Sequence, residues 1–168
     1  APVGVLQHLW DHSIAAAAQV GGIPAGLGAR DILRTEMGYP LHGQDISPSI
    51  SPLEAKISWA VGWDKPHFDG KESLQATRAQ GAVRKRVALR AVGRGIPRAH
   101  MDVYSDLELH HKIGEITSGT FSPTLKEGIA MALVDVEHEK LATMFIDVRG
   151  KALESANVSL PFIVATPK

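Results

Sequence analysis

The continuous apolar run Gly128–Val136 (GIAMALVDV) is the feature that most constrains how this chain can fold. A strand that is apolar on both faces has to be covered on both faces. Further segments with strand character surround it, and no long helix separates them: Val83–Val92, Met101–Ser105, Leu107–Leu109, Lys112–Thr117, Thr143–Val148 and Lys151–Pro161. About six closely spaced strands predict a small antiparallel β-barrel in the second half of the chain.

The first of these strands, Val83–Val92, also bears on function. Its alternation predicts a core face of Val87, Leu89 and Ala91. We interpret its basic residues as part of a solvated outer strand face: Arg84, Lys85, Arg86 and Arg90. A nucleic-acid site would need aromatic side chains among these cations, and there are none between residues 69 and 103. The chain has 18 basic and 18 acidic residues. No net field therefore attracts nucleic acid or an anionic membrane.

Two turns and a histidine pair are predicted within the same half. The hydroxyl-rich segment Ser118–Leu125 is typical of a polar turn, and Arg149-Gly150 is typical of the centre of a hairpin. His110 and His111 are adjacent and would point to opposite faces of a strand. We therefore expect them to be exposed rather than joint ligands.

The first half has a mainly helical pattern. Val3–Gln19 and Gly70–Gln80 are predicted helices, whereas Ile57–Val61 alternates large and small residues like a short strand. The sequence Ser51-Pro52-Leu53-Glu54 is typical of a helix start, with serine at the N-cap and glutamate three residues later. We place the domain boundary at Gly81, which divides the chain into residues 1–81 and 82–168.

A short charged helix is predicted in Gly22–Asp45, between two glycine/proline turns, and it should end at Gly38. Its inner face would consist of the apolar residues Leu27, Ile32, Leu33 and Met37. Arg30 and Arg34 lie four residues apart and project to one side. They either belong to a surface salt-bridge lattice with Asp31 and Glu36, or bind a carboxylate or an electron-rich heterocycle.

Trp59 and Trp63 bracket Val61 in the predicted strand. A tryptophan in this position is either part of the core or a flat wall for a ring-shaped ligand. The pattern by itself favours the core, because burial usually dominates the use of an aromatic side chain.

The sequence shows no catalytic or metal-binding pattern. It lacks cysteine, so thiolate chemistry and disulfides are excluded, and it has no serine elbow or phosphate loop. His8 and His12 have a spacing that could place two ring nitrogens on one metal, but no third ligand accompanies them, so we expect a solvated helix face. We also expect no membrane span and no signal peptide, because no apolar run is long enough and no charged leader precedes Ile14–Val20.

Long motifs nevertheless resemble those of one family. The matching segments follow one another along the chain: GLGARDILR (26–34), GQD (43–45), SPLE (51–54), SW (58–59), GKE (70–72), GEITSGTFSPTL (114–125), GIAMA (128–132) and LPF (160–162). They are similar to the glycine cleavage T-protein, a tetrahydrofolate-dependent aminomethyltransferase. The similarity covers only the C-terminal portion of that enzyme.

The resemblance implies an α+β architecture, in which a helical, ferredoxin-like remnant of the folate-binding domain precedes the small antiparallel β-barrel. It implies tetrahydrofolate as cofactor and the lipoylated H-protein of the glycine cleavage system as partner. The catalytic aspartate and the pterin-binding glutamate of the family have no counterpart here, so we expect an inactive fragment with no catalytic residue of its own. Surface left open by the missing part would favour self-association. The location would be the cytoplasm in a bacterium or the mitochondrial matrix in a eukaryote.

Two residues match folate-binding positions of the family. Arg30 matches the arginine of the GLxARD motif, and Trp59 matches the tryptophan of the SW motif. There are two departures: His42 replaces a usual tyrosine, and no tyrosine follows Phe162.

Two other classes of protein compete with an aminomethyltransferase. One is a non-catalytic folate-binding paralogue of the tRNA-modification or iron–sulfur-assembly type, and the other is a related folate-dependent demethylase. The absence of cysteine disfavours the paralogues, which carry a K-G-C-Y-x-G-Q motif.

Overall fold

The computed structural model describes residues 2–164 and divides the chain into two compact units, of which one ends at Asp31 and the other begins at Ile32. The helices are α1 (Leu6–Gln19), α2 (Leu27–Glu36) and α3 (Lys71–Gln80), with short 3₁₀ helices at Val3–Val5, Ser58–Ala60 and Val136–His138. The strands are β1 (Arg84–Ala91), β2 (Asp102–Tyr104), β3 (Lys112–Ser122), β4 (Glu127–Asp135), β5 (Thr143–Asp147) and β6 (Ala152–Val158). None of the helices in the described residues is long and apolar enough to cross a membrane.

The helix α1 dominates the first unit and confirms the helix predicted there. It ends where Gly21 takes a positive φ of 76° and Gly22 N–H donates to the Ala17 carbonyl at 2.8 Å. None of its residues is buried, and its large apolar side chains are exposed, including Leu6, Leu9 and Trp10. Whether this surface supports self-association stays a prediction.

The six strands form a closed antiparallel barrel in the order β1-β4-β3-β2-β5-β6. This confirms the predicted fold class. Seven successive residues of β4 are buried, so the strand is covered on both faces as its composition predicts. Val87, Leu89 and Ala91 of β1 lie in the barrel core, also as predicted.

Three local predictions are wrong. Ile57–Val61 is not a strand, because Ser58–Ala60 forms a 3₁₀ turn and the barrel ladder closes without it. Leu107–Leu109 is a turn rather than a strand, since the Asp106 carboxylate accepts the backbone N–H groups of His110 and His111. The turn predicted over Ser118–Leu125 is wrong for Ser118–Ser122, which continues β3 because buried acidic side chains accept from the Ser118 and Ser122 hydroxyl groups, whereas residues 123–125 do form a turn.

Other local predictions are confirmed. The β5–β6 hairpin turns at Arg149 and Gly150, both with positive φ, as a two-residue hairpin loop requires. His110 and His111 are exposed. The helix α3 runs between two glycines of positive φ, Gly70 and Gly81.

The β3–β4 contact predicts a large effect for Gly114→Ala. A Cβ atom at position 114 would lie 2.3 Å from the Leu133 carbonyl oxygen and 2.8 Å from Val134 Cα. Both atoms are backbone, so the strands would have to separate, and we expect a loss of about 3 kcal/mol in the free energy of unfolding. Urea unfolding monitored by fluorescence measures it. Gly26→Ala, whose Cβ meets nothing within 4 Å, is the control; equal stabilities of the two variants would contradict the prediction.

Candidate functional site

Arg30, the first predicted ligand residue, lies on α2 within the first compact unit. Its side chain is exposed. Among residues 2–164, no hydrogen bond or ion pair engages its guanidinium group. This cation is therefore available to a ligand.

Trp59, the second predicted ligand residue, belongs to the second unit and is 83% exposed. The interpretation of Trp59 as core is therefore wrong. Trp63 has the more structural role, because its Nε1 donates to the Ser58 carbonyl at 2.9 Å and the Arg78 guanidinium lies 4.8 Å from the centre of its ring. The turn leaves Trp59 as the indole free to contact a ring-shaped ligand.

The predicted inner face of α2 is confirmed only in part, since Ile32 and Met37 are half-buried. Leu27 is 86% exposed and Leu33 is 62% exposed, whereas the polar residues Arg34, Thr35 and Glu36 are buried. The second unit contains the C-terminal end of this helix, and polar contacts rather than leucines hold that end. Sequence periodicity misses such an arrangement because it weighs only apolar side chains.

Asp45 is the centre of these polar contacts. Its Oδ2 lies 2.7 Å from Arg34 Nη1, and the same oxygen accepts the Leu41 N–H at 2.8 Å and the Ser118 hydroxyl at 2.8 Å. Its Oδ1 accepts the Thr117 hydroxyl at 2.5 Å. Gln44 adds an acceptor for Arg34 Nη2 at 3.1 Å. Four donors therefore converge on this buried carboxylate, which a buried charge requires.

The contact with Thr117 occurs where the register between β3 and β4 shifts, between Ile116 and Ser118. A bulge re-aims the side chain of its extra residue. Here the Thr117 hydroxyl donates both to Asp45 and to the Met131 carbonyl at 3.1 Å. The bulge in β3 therefore lies where this strand contacts the buried carboxylate of Asp45.

Two further contacts fasten the end of α2 to the barrel. Glu36 accepts a short hydrogen bond from the Ser122 hydroxyl, and its carbonyl accepts the Phe162 N–H at 2.9 Å. Gly38 ends the helix with a φ of 71°, as predicted, and its carbonyl accepts Arg86 Nη1 at 3.3 Å. Arg86 is thus buried, which corrects its placement on a solvated face.

Glu54 connects the segment before α3 to the first strand. Ser51 and Glu54 form the predicted reciprocal cap, with Ser51 N–H donating to Glu54 at 2.8 Å, although only a turn follows rather than a helix. Arg84 Nε lies 2.8 Å from the other carboxylate oxygen. Burial raises the pKa of Glu54, but the hydrogen bonds from Ser51 and Arg84 outweigh it and lower that pKa overall.

No cluster of three or more potential metal ligands occurs in the described part of the chain. The His8 and His12 rings lie 4.2 Å apart on the exposed face of α1. Asp102 pairs with Lys112 at 2.6 Å, and Asp106 holds a turn. These carboxylates therefore have structural partners.

The architecture, a helical first part followed by a closed barrel, is that of a T-protein. The family model for the GCVT N-terminal domain matches residues 2–65, and the model for the glycine cleavage T-protein C-terminal barrel domain matches residues 84–163. The chain belongs to the glycine cleavage T-protein family, as its motifs indicate.

Curated relatives and a solved structure agree. The aminomethyltransferases of Parafrankia sp. and Mycobacterium tuberculosis are 52% and 49% identical over 95% and 92% of this chain. The crystal structure of glycine cleavage system aminomethyltransferase T from Bartonella henselae superposes with a TM-score of 0.83 at 32% identity, covering 96% of this chain and 45% of that one. The chain spans 43% of the length of the Parafrankia enzyme and 42% of the Mycobacterium tuberculosis enzyme. The division at Gly81 stays a prediction.

Removal of the buried carboxylate should destabilise the second unit strongly. Asp45→Ala removes the anion that Arg34 contacts and leaves the hydroxyl groups of Thr117 and Ser118 without that acceptor. Breaking a buried pair in this way costs about 3–5 kcal/mol. Urea unfolding at neutral pH measures the loss. Asp64→Ala, in an exposed loop, should change stability by less than about 0.5 kcal/mol; a similarly small effect of Asp45→Ala would show that the cluster is dispensable.

The lowered pKa of Glu54 predicts an acid-dependent contribution to stability. Because the folded pKa lies below the unfolded one, the stabilisation is present above about pH 4.3, the ordinary glutamate value, and is lost as pH falls through the folded pKa. Glu54→Gln should therefore differ most from the parent at neutral pH and converge with it in acid. Thermal unfolding between about pH 3 and 7 measures this, with exposed Glu72→Gln as control. A difference that does not shrink in acid would contradict it.

Proposed function

We propose that this chain contributes part of the folate site of an aminomethyltransferase. The reaction would transfer a methylene group from the aminomethyl-lipoyl arm of the H-protein to tetrahydrofolate, with release of ammonia. The observation that supports the site most directly is that Arg30 and Trp59, which match the family's folate positions, are both exposed rather than used within the fold. The bacterial sources of the relatives favour the cytoplasm as the location.

The Arg30 and Trp59 side chains suit two chemical features of folate, its carboxylate and carbonyl oxygens and its flat rings. A guanidinium group presents parallel N–H donors that match carboxylate or carbonyl oxygens. An indole offers a flat apolar face for a pterin or aminobenzoyl ring. Neither group is an acid or a base at neutral pH, so both would bind and orient the cofactor without exchanging protons.

Catalysis in such a site would depend on position more than on covalent chemistry. Holding two reactants in the right geometry removes much of the entropic barrier to their reaction. The acid/base carboxylate implied by the resemblance has no counterpart in this sequence. The chain would therefore supply binding and alignment, while the proton transfer would occur on a residue outside the shared 43% of the relatives' length.

The alternative is a folate-binding paralogue without transferase activity, or a related demethylase. The curated relatives named aminomethyltransferase, at 52% identity for the first of them, favour the transferase. A chimaera separates these possibilities, because only a transferase would release ammonia from the aminomethyl-lipoyl donor.

In the chimaera, residues 4–163 of this chain would replace the matching segment of the Parafrankia aminomethyltransferase. We expect tetrahydrofolate-dependent ammonia release. Arg30→Ala should raise the KM for tetrahydrofolate about tenfold or more, because a charged hydrogen bond contributes about 1.5–3 kcal/mol. Trp59→Ala should raise it about threefold to tenfold through the loss of ring contact. A coupled ammonia assay with varied tetrahydrofolate measures both.

The matched control is Arg94→Ala, which removes an exposed arginine in the loop after β1. It should leave the KM unchanged. A folded chimaera without ammonia release would contradict the transferase proposal. An active chimaera in which Arg30→Ala and Arg94→Ala behave alike would contradict the role of Arg30 alone.

The 168-residue chain by itself should not turn over aminomethyl-lipoyl H-protein, since it contains no match to the family's catalytic aspartate. Ammonia release above the rate without protein, at micromolar chain and saturating tetrahydrofolate, would contradict this. The same preparation, mixed with the remaining segment of the Parafrankia enzyme, tests whether that segment allows turnover.

A further inference from the structure

A crevice of about 530 Å³ opens in the second unit beside the barrel, where the outer face of β1 meets the end of β6 and the β4–β5 loop. We call it the Arg86 crevice. Its charged lining residues are Arg86, Lys56, Lys140 and Glu139. Three cations against one anion give the crevice a net positive charge, which favours an anionic occupant.

Arg86 is the buried cation of this crevice, and it is only 7% exposed. Its Nη1 donates to the Gly38 carbonyl at 3.3 Å and lies 3.6 Å from Met131 Sδ. Its Nε is buried without a hydrogen-bond partner. No residue in the described range accepts a hydrogen bond from Nη2 either. The Nε–Nη2 edge, which a guanidinium uses for bidentate contact with an oxyanion, is therefore unoccupied by protein groups.

The charge on Arg86 is compensated only in part. Burial lowers the pKa of Arg86, while the charge of Asp45 acts in the opposite direction. Asp45 is itself paired with Arg34 at 2.7 Å. The carboxylate whose charge acts on Arg86 is thus already paired with another arginine, and an anion on the Nε–Nη2 edge of Arg86 would add charge compensation.

Glu139 provides the complementary feature. Its Oε2 is buried without a hydrogen bond, and the nearest cation, Lys56 Nζ, is 3.9 Å away. Asn157 Nδ2 donates at 2.9 Å to the carbonyls of Glu139 and Leu141, which fixes the loop that presents this carboxylate. The crevice thus has a donor edge and an acceptor oxygen that lack hydrogen-bond partners among the described residues, and a buried polar group without a hydrogen bond is costly.

We propose that the Arg86 crevice binds a protonated phosphate group. Its ionised oxygens would accept from the Nε–Nη2 edge of Arg86, and its hydroxyl would donate to Glu139 Oε2. Lys56 and Lys140 would add attraction at the mouth. Hydrogen phosphate has both the acceptors and the donor that the crevice needs at neutral pH. Sulfate has no proton to donate and would be repelled by Glu139. The site is independent of folate binding and of the aminomethyltransferase proposal.

Calorimetric titration of the 168-residue chain with sodium phosphate, sodium sulfate and sodium acetate, at pH 7 and constant ionic strength, tests this. We expect saturable binding of phosphate and at least about tenfold weaker binding of sulfate and acetate, because each lacks the donor. O-phosphoserine in a fourth titration distinguishes a phosphate monoester from inorganic phosphate. In a ¹⁵N spectrum, the Nε–H signal of Arg86 should shift on addition of phosphate.

Two variants assign the roles. Glu139→Gln should reduce the preference for phosphate over sulfate to near unity, because an amide can donate to a fully ionised anion. The matched control is Glu137→Gln. It removes the same charge two residues earlier in the chain, and the Glu137 side chain does not line the crevice. Arg86→Lys should weaken both anions about tenfold or more through loss of the bidentate edge.

Equal binding of phosphate and sulfate by the parent chain would overturn the proposal, as would no saturation by about 10 mM phosphate. Binding that neither Glu139→Gln nor Arg86→Lys alters would place the phosphate elsewhere and overturn it equally. If Arg86→Lys fails to fold, the change in selectivity of Glu139→Gln relative to Glu137→Gln decides the question, because Glu139 has no hydrogen-bonded side-chain partner to lose.

Discussion

The second unit depends on the burial of one carboxylate. Asp45 accepts from Arg34 on α2, from the backbone at Leu41 and from two hydroxyl groups of β3. A charge taken out of water must be matched by partners at close range, so each element that touches Asp45 has its position fixed by the others. The bulge in β3 and the Thr117 and Ser118 hydroxyl groups meet that requirement from the side of the sheet.

Much of the barrel could be predicted from local pattern. The apolar run of β4 and the alternation of β1 reflect the burial of apolar surface on two faces and on one face, respectively. Burial of this kind determines which positions along a strand carry apolar residues. The hairpin at Arg149-Gly150 and the helix end at Gly38 follow from backbone conformations that glycine adopts without cost. The family resemblance rests on longer motifs, and these imply the T-protein architecture.

Three of the failed predictions share one physical cause. The polar hydroxyl groups of Ser118–Ser122 predict a turn. In the sheet, however, two of these hydroxyls donate hydrogen bonds to acidic side chains more than 70 residues earlier in the chain. Arg86 is predicted to be solvated because most arginines are exposed. In the structure its guanidinium group donates to the Gly38 carbonyl at the end of α2. The alternation of Ile57–Val61 predicts a strand, but a strand needs a neighbour for its backbone hydrogen bonds. The six barrel strands already pair with one another in a closed ring. Non-local partners decide all three cases, and a single sequence does not display them.

Closure of the ring has a consequence for how this chain can associate with other molecules. In an open sheet, the outermost strand presents unpaired N–H and C=O groups that can recruit a further strand. Here β6 pairs with both β5 and β1, so the described sheet has no edge strand. Recognition by this barrel must therefore use side chains and loops, and strand-addition partners, including misfolded copies of the same chain, have no template on it while it stays folded.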